Sequence, residues 1–473
     1  MSDAQAAPDH RERLHFSGIA GAGMNPLAQL MRAWGHAVQG SDRSFDQGQQ
    51  ADLRRRLESQ GIRILPQDGT AIHAALDRVV YSAAVEPDTP ELIRARELKL
   101  ACVARPALLA EVVAAGNPGV AVAGTSGKST VSGMIHWILL RAGVAHTFLG
   151  GAPLAAGAGA MGGFQAGPHG APVVAEACES DGTLVGYHPG VGLVHNLARD
   201  HGEVADLRAQ FLRFAAQSKR LLVNAGCAEA TALATGHPAA VHYGGGGGLG
   251  GELALDVVAI GPERALGVLR PATTSPGEPA EILLDLPQPG AHTLDNAVAA
   301  CVAARALGIP LADSARHLRE FPGIFRRFEV IGTTDTGIRV VDDYAHNGEK
   351  IRAAVAAAQA GCDRLLAVFQ PHGFGPARFL RPELRTLIPE ILRPQDRWCY
   401  APIFYAGGTV AKDLSSRDLC DDLPPRLRAG CADDHAGVLR WCAETAIPND
   451  TVLLMGARDP ALPRLARAIH DLL

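Results

Sequence analysis

The sequence predicts an α/β protein of three domains built on parallel sheets. Apolar runs of strand length alternate with longer helical patterns from end to end. The 53 glycines in 473 residues gather in clusters, many of them where those runs stop. Two Gly/Pro clusters, Gly116-Asn117-Pro118-Gly119 and Phe321-Pro322-Gly323, break the alternation. These breaks divide the chain into residues 1–116, 117–321 and 322–473. Three domains suit a length prior of about 100–200 residues each.

Composition narrows the class. Hydrophobic residues make up 47% and charged residues 20%, enough for several cores and incompatible with global disorder. Lys+Arg number 44 against 49 Asp+Glu, a net charge of −5, which argues against nucleic acid or an anionic membrane as partner. Nine cysteines are scattered without a C-x-x-C pair, so reduced thiols are expected and no zinc site. Met1 to Arg13 is polar and lacks an apolar core, unlike a signal peptide, and no stretch approaches the ~18 apolar residues of a membrane span. A cytoplasmic protein is expected, a monomer or homodimer, with no internal repeat or coiled coil.

In the first domain a strand at Arg13–Ser17 leads into Gly18-Ile-Ala20-Gly21-Ala22-Gly23, then a helix through Leu27, Leu30, Met31 and Trp34. A second strand, Ala37–Gln39, ends at Gly40-Ser41-Asp42, and a third, Arg78–Ser82, follows. Glycines after a strand, with an acid ending the next, predict a Rossmann-like domain. Their order, G-x-x-G-x-G, is not the G-x-G-x-x-G of NAD binding, so a nucleotide diphosphate or a bare turn serves equally.

The second domain carries the strongest motif. The strand Val120–Ala123 runs into Gly124-Thr125-Ser126-Gly127-Lys128-Ser129-Thr130 and an apolar helical pattern. Such a turn aims amide groups and a helix N-terminus at phosphate oxygens. Lys128 is placed to reach the β- and γ-phosphates and Ser129 to hold Mg²⁺. The spacing is shorter than the Walker form, which has a glycine where Val122 stands. A central P-loop ATPase-type parallel sheet follows. Glu176, closing the run from Pro172, and His201 of Asp200-His201, after the run Val191–Val194, are candidate metal ligands beside that loop. Gly150–Gly170 has no clear period and is expected to be loop; Gly244–Gly248 is expected to be a surface loop or hairpin tip.

Beyond Phe321, apolar runs at Ile338–Val341, Leu365–Phe369, Arg397–Tyr400 and Thr451–Leu454 predict a second Rossmann-like domain. Asp342-Asp343-Tyr344-Ala345-His346-Asn347 and Gln370-Pro371-His372 follow two of these strands, where a ligand-facing edge is expected. Arg326-Arg327 offers cations for phosphates.

Taken in order, these motifs resemble the Mur ligases, the ATP-dependent amide-bond ligases of peptidoglycan synthesis. The likeness runs from His15 to Arg467. His15–Met24 and Gly40–Asp42 are similar to the UDP-binding elements, Gly124–Thr130 to the ATP loop, and Glu176–Asp181 and Asp200-His201 to the acidic and second metal-binding motifs. Pro289–Ala297 resembles the element that meets adenine, and Arg326-Arg327, Asp342–His346, Phe369–His372 and Gly456–Asp459 resemble the third-domain motifs.

The resemblance implies a donor domain (1–116), an ATP domain (117–321) and an acceptor domain (322–473). It implies donor contacts from Gly18, Ala20, Gly21, Ala22, Gly23, Met24, Ser41, Asp42 and Ser82. ATP contacts are implied from Gly124–Thr130, His292, Asn296, Arg326, Arg327 and Asp343. Mg²⁺ is implied at Ser129, Glu176 and His201. Acceptor-side contacts are implied from His346, His372 and Arg378, with Lys128, His201, Arg327, His346 and His372 in catalytic roles. The implied reaction activates a carboxylate on ATP as an acyl phosphate, which an amine then attacks, with UDP-N-acetylmuramate as donor and L-alanine as acceptor. The alternatives are a paralogue with another donor or acceptor, such as a peptide in cell-wall recycling, and a nucleotide-binding subunit without activity. An NAD-dependent dehydrogenase leaves Gly124–Thr130 unexplained.

The sequence departs from the family pattern in both the ATP domain and the acceptor domain. Ser126 stands where histidine is usual, Cys178 replaces an acid, Leu197-Ala198-Arg199 precedes Asp200, and Thr293 replaces an asparagine. Asn347-Gly348 replaces His-Pro, and Gly373-Phe-Gly-Pro-Ala-Arg378 replaces a segment richer in Arg, Tyr and Thr.

Overall fold

The computed structural model describes residues 11–82, 85–155, 163–179, 182–197, 204–245, 251–261, 263–274, 278–405, 411–427 and 429–473. Two compact units emerge. One holds residues up to Val258 with Leu266–Asp285 and Leu294–Phe321; the other holds Pro322–Leu473 with Ala259–Ala265 and Leu286–Thr293. Among the described residues the strands form sheets of five, ten and six, an α/β architecture as the alternation predicts.

The five-stranded sheet runs Arg63–Ile64, Ala37–Ser41, Arg13–Ser17, Arg78–Tyr81, Ala101–Ala104, all parallel, which is a Rossmann-like order. Ala37–Gln39 was expected to end two residues earlier than it does: Gly40 and Ser41 stay paired, opposite Phe16 and Ser17. Gly40 is required there, because a Cβ would meet Phe16 O at 2.7 Å and Ile19 Cδ1 at 2.6 Å. The helix Met24–Ala33 buries Leu27, Leu30 and Met31 at helical spacing, and Phe16 and Leu14 of the first strand are fully buried in the same cluster.

The ten-stranded sheet has the strand Gly119–Ala123, buried throughout, between Val191–Val194 and Val173–Glu176, both parallel to it. The helix Lys128–Arg141 that follows is apolar on most sides and keeps Ser132 and Gly133 buried, small residues where the chain packs closely. Gly150–Gly170 is not all loop: Phe164–Gln165 pairs antiparallel with Thr147–Leu149. Two residues are too few for a period to show in the sequence. Of Gly244–Gly248, residues 246–248 lie outside the described residues.

The six-stranded sheet runs Glu329–Thr333, Arg339–Asp343, Thr451–Gly456, Leu365–Gln370, Arg397–Tyr400, Gly430–Cys431, antiparallel only at the first pair. The last helix, Leu462–Leu472, buries Leu465, Ala466 and Ile469 on one face and packs on Arg339–Asp343. Each such Leu or Ile contributes about 1.5–3 kcal/mol. None of the described helices is long and apolar enough to cross a membrane.

Candidate active site

The central strand of the large sheet ends in the glycine loop, and its two neighbours supply what surrounds it. Gly127 has φ +78° and caps the helix Lys128–Arg141, whose first-turn amides have no intrahelical acceptor. A Cβ at Gly127 would lie 2.6 Å from Asn296 Oδ1 and 2.9 Å from His195 Cδ2, so a side chain is excluded. Gly124 has φ +149° and lies against Asn196.

Asn196, just past the strand Val191–Val194, braces this loop. Its carbonyl accepts from Thr125 N (3.2 Å), and its Oδ1 from Ser126 N (2.9 Å) and Thr125 Oγ1 (3.0 Å). Its Nδ2 donates to Ser126 O and Oγ. The amides of Thr125 and Ser126, expected to face phosphate, therefore face Asn196 instead. The open amides begin at the helix, with Lys128, Ser129 and Thr130.

Lys128 Nζ donates to Gly124 O (2.6 Å) and to both oxygens of Glu179 (2.9 and 3.1 Å), and its side chain is 11% exposed against 3% for Glu179. Ser129 Oγ donates to Glu176 Oε2 (2.9 Å), which also accepts from Gly151 N (2.9 Å). A Cβ at Gly151 would collide with that carboxylate and sit 3.0 Å from Ser129 Oγ. Only glycine leaves the two oxygens open.

A cavity of about 180 Å³ reaches from Ala22, Gly23 and Pro26 of the first turn to Gly150, Gly151 and Glu176, with Arg105 on its wall. Oxygen ligands with room beside them suit Mg²⁺, and a lysine with open helix amides suits a triphosphate. His201, with Asp200 and Asp181, lies outside the described residues, so the third expected ligand is not placed. Asn296 bonds His195, whose pKa is pushed down to about 4 by burial, so His195 is neutral. His292 is lowered too, again by burial.

In the five-stranded sheet the glycine turn is held by its own hydrogen bonds and by the end of the next strand. Gly18 N and Ile19 N donate to Ser41 O (2.9 and 3.0 Å), and Ala20 N to Asp42 Oδ2 (2.9 Å). Gly21 O accepts from Met24 N and Asn25 N, starting the helix. Asp42 Oδ1 accepts from Ser44 N and Oγ. Asp42, expected among the donor contacts, holds the turn through both carboxylate oxygens. Ser82 N donates to Ser17 O, joining the same strand ends.

In the second unit, polar groups gather past three parallel strands. Arg326, expected to meet phosphate, is instead buried: it pairs with Asp342 (2.9 and 3.1 Å) and donates to Gly456 O (2.7 Å). Its backbone φ is +56°, strained for a residue with a side chain. Burial raises the Asp342 carboxyl to about 6, against the opposing pull of Arg326. Arg327 lies over the Tyr344 ring at 5.3 Å and is half-exposed, the better placed of the two to meet an anion. Asp343 accepts from Phe328 N (2.6 Å) and Ala345 N (2.7 Å), again shaping a loop, and its pKa is raised by burial.

The rings of His346 and His372 meet edge to face, 5.1 Å apart. His346 Nδ1 lies 2.8 Å from Tyr344 O, which can only accept, so Nδ1 carries the proton and Nε2 a lone pair. Burial, opposed by that bond, lowers His346 to about 4; burial and Arg458 lower His372. His372 Nδ1 has no partner among the described residues. Arg378, expected at the acceptor, is drawn to Asp413 (2.5 Å) and Ala411 O (3.1 Å) instead.

Sequence reasoning missed Arg105, Glu179 as the partner of Lys128, Asn196 as a brace, and His435. His435 bonds Gln370 (3.3 Å) and faces Asp459 (3.4 Å). Only Asn196 had a local signal, its position just beyond a strand flanking the loop.

Comparison with known proteins agrees with this geometry. Residues 13–117 match the family model described as Mur ligase family, catalytic domain, and residues 326–458 match Mur ligase, glutamate ligase domain. The chain is 33% identical over 466 residues to the UDP-N-acetylmuramate–L-alanine ligase of Xanthomonas oryzae pv. oryzae (strain PXO99A), covering 94% of this chain and 93% of that one. The protein of the same name from Xanthomonas campestris pv. campestris (strain B100) is similar to the same extent. The chain belongs to the Mur ligase family, and it is an ATP-dependent ligase.

Two solved structures share the fold. UDP-N-acetylmuramate-alanine ligase MurC from Thermotoga maritima aligns with a TM-score of 0.74 at 23% identity, covering 98% of this chain and 99% of that one. The murein peptide ligase Mpl from Psychrobacter arcticus aligns at 0.67 and 20%, covering 98% of each.

Proposed function

We propose that the chain joins L-alanine to the carboxylate of UDP-N-acetylmuramate with conversion of ATP to ADP and phosphate. The observation that carries this is the match, at 33% identity and 93% coverage, to proteins named for that reaction. It is supported by a cavity that links the Gly18–Gly23 turn to Glu176.

Residues 1–116 hold the donor on that turn. Residues 117–321 hold ATP, with the first-turn amides and Lys128 on its phosphates and Asn296 and His292 toward the base. Residues 322–473 hold the acceptor. Ser129, Glu176 and His201 are the residues for Mg²⁺, which when bound neutralises charge on the phosphates. The donor carboxylate attacks the γ-phosphorus, displacing ADP, and the acceptor amine then displaces phosphate from the acyl phosphate. Carboxylate and triphosphate repel each other, so Lys128 and Arg105 lower the barrier by offsetting that charge. The lone pair on His346 Nε2 is a group on the acceptor side able to accept a proton from the incoming amine.

A second reading, a different acceptor such as a peptide, is favoured by the segment Gly373–Arg378. Pro376 lacks an amide donor, and Arg378 is held by Asp413. Phosphate release measured with UDP-N-acetylmuramate against a panel of amino acids and peptides separates the two. Turnover with L-alanine alone supports the first, and turnover only with peptides replaces it.

A further inference from the structure

The five-stranded sheet hides a polar cluster where apolar packing is the rule. Alternation along two parallel strands puts His15 and Ser17 on one face with Gln39 and Ser41, in register His15↔Gln39 and Ser17↔Ser41. Glu91, in the first turn of the helix Pro90–Glu97, enters this face with no exposed surface. His15, Ser17 and Ser41 are also fully buried.

Three side chains meet the carboxylate, so that both of its oxygens are bonded. Glu91 Oε1 accepts from Ser41 Oγ (2.5 Å) and lies 2.8 Å from His15 Nε2, and Oε2 accepts from Ser17 Oγ. Gln39 Nε2 donates to Ala71 O (2.9 Å) and lies 3.3 Å from His15 Nδ1, which turns the Nε2 proton of His15 toward Glu91. A buried carboxylate is unfavourable unless every lone pair is used, and a leucine here would fold without such provision. A local rule broken this completely marks a functional constraint.

We infer that Glu91 is a positioning residue for donor binding, acting through Ser17 and Ser41. Those serines are the last residues before Gly18 and Asp42, and the turn hangs from them: Ser41 O receives Gly18 N and Ile19 N, and Asp42 receives Ala20 N. One carboxylate bridging both side chains fixes the offset of the two strand ends, and with it the position of the glycine turn on which the donor rests. Glu91 itself touches no ligand.

This inference rests on the proposed donor. Its test compares wild type with Glu91→Gln in the full chain, by calorimetry with UDP-N-acetylmuramate and by steady-state kinetics. Glu91→Gln keeps the shape but places an NH₂ against one of the serine or histidine donors. The donor Kd and KM are expected to rise about tenfold or more, with KM for ATP and kcat at saturating donor within about twofold. A lower melting temperature with donor affinity unchanged overturns the inference and leaves Glu91 a structural residue. Should Glu91→Gln not fold, Ser17→Ala removes one of the three contacts and reads the same quantity. A wild-type chain that binds no UDP-N-acetylmuramate overturns the donor reading and this inference with it. Binding by the wild type that Glu91→Gln and Ser17→Ala leave unchanged overturns the role of Glu91 alone.

Discussion

Lys128 and Glu179 form a nearly buried ion pair, with Nζ 2.9 and 3.1 Å from the two carboxylate oxygens. The lysine expected to meet phosphate is thus already paired. Removing it deletes a catalytic charge and strands Glu179, so Lys128→Met is expected to lower kcat by ~10²-fold or more and to destabilise the fold by about 3–5 kcal/mol. Lys128→Met/Glu179→Gln should regain most of that stability and none of the activity. Urea titration and phosphate release on the three proteins check this. Recovery of turnover in the double variant would remove Lys128 from the chemistry.

Glu176 touches Ser129 Oγ and Gly151 N. In Glu176→Gln the amide oxygen can still accept from one of these, so the fold should hold. A neutral amide is a poorer ligand for a hard cation, and the Mg²⁺ needed for half-maximal rate is expected to rise about tenfold or more. An unchanged Mg²⁺ titration returns Glu176 to a purely structural place.

Arg105 lines the cavity between Gly23 and Glu176, with its Cδ 3.1 Å from where a Gly23 Cβ would stand. Arg105→Ala is expected to raise the donor KM about tenfold, the loss of one charge-assisted contact, while KM for ATP stays put. Equal rises in both constants would indicate a general disturbance of the cavity.

The paired arginines separate cleanly. Arg326→Ala leaves Asp342 buried without its partner and is expected to destabilise by about 3–5 kcal/mol. Arg327→Ala should melt like the wild type and lose turnover, since its guanidinium lies over Tyr344 in no buried ion pair among the described residues. Differential scanning fluorimetry beside the kinetic assay distinguishes them. The opposite pattern exchanges their roles.

Acid should destabilise the unit that holds His136. Its Nδ1 lies 2.8 Å from His146 Nε2, and His146 Nδ1 donates to Val144 O, so both rings are neutral. Burial, then repulsion from His146, pushes His136 down to about 3. With the unfolded value near 6.5, the unfolded chain takes the proton first as pH falls. Stability is therefore full above pH 6.5 and lost between 6.5 and 3. His136→Asn is expected to flatten the stability–pH slope there by one proton, about 1.4 kcal/mol per pH unit. A slope identical to wild type between pH 6 and 4 would contradict a neutral His136.

Much of this molecule was legible before any coordinates. Alternating runs and glycine turns foretold the three sheets because strand and helix periods act over neighbouring residues, and Gly124–Thr130 announced itself in seven letters. What the sequence did not disclose depends on distant partners. Arg326 looked like a cation for phosphate until Asp342, sixteen residues on, was seen to hold it. Arg378 is claimed by Asp413. The polarity of Thr125 and Ser126 was evident, but not that Asn196, some seventy residues away, would take their amides. Glu91 carried no signal at all, because nothing in its own turn names His15, Ser17 or Ser41.

The bracing of the glycine loop by Asn196 bears on how nucleotide is captured. A loop that must gather itself around its ligand loses conformational freedom at the moment of binding, and its affinity falls accordingly. Here the five contacts from a single asparagine set the loop when the chain folds. On the proposed ATP role, nucleotide then meets a finished surface, with little ordering left to do. In that role a phosphate that engages Lys128 has to draw it from Glu179, so that ion pair weighs against nucleotide while the ready-made loop favours it.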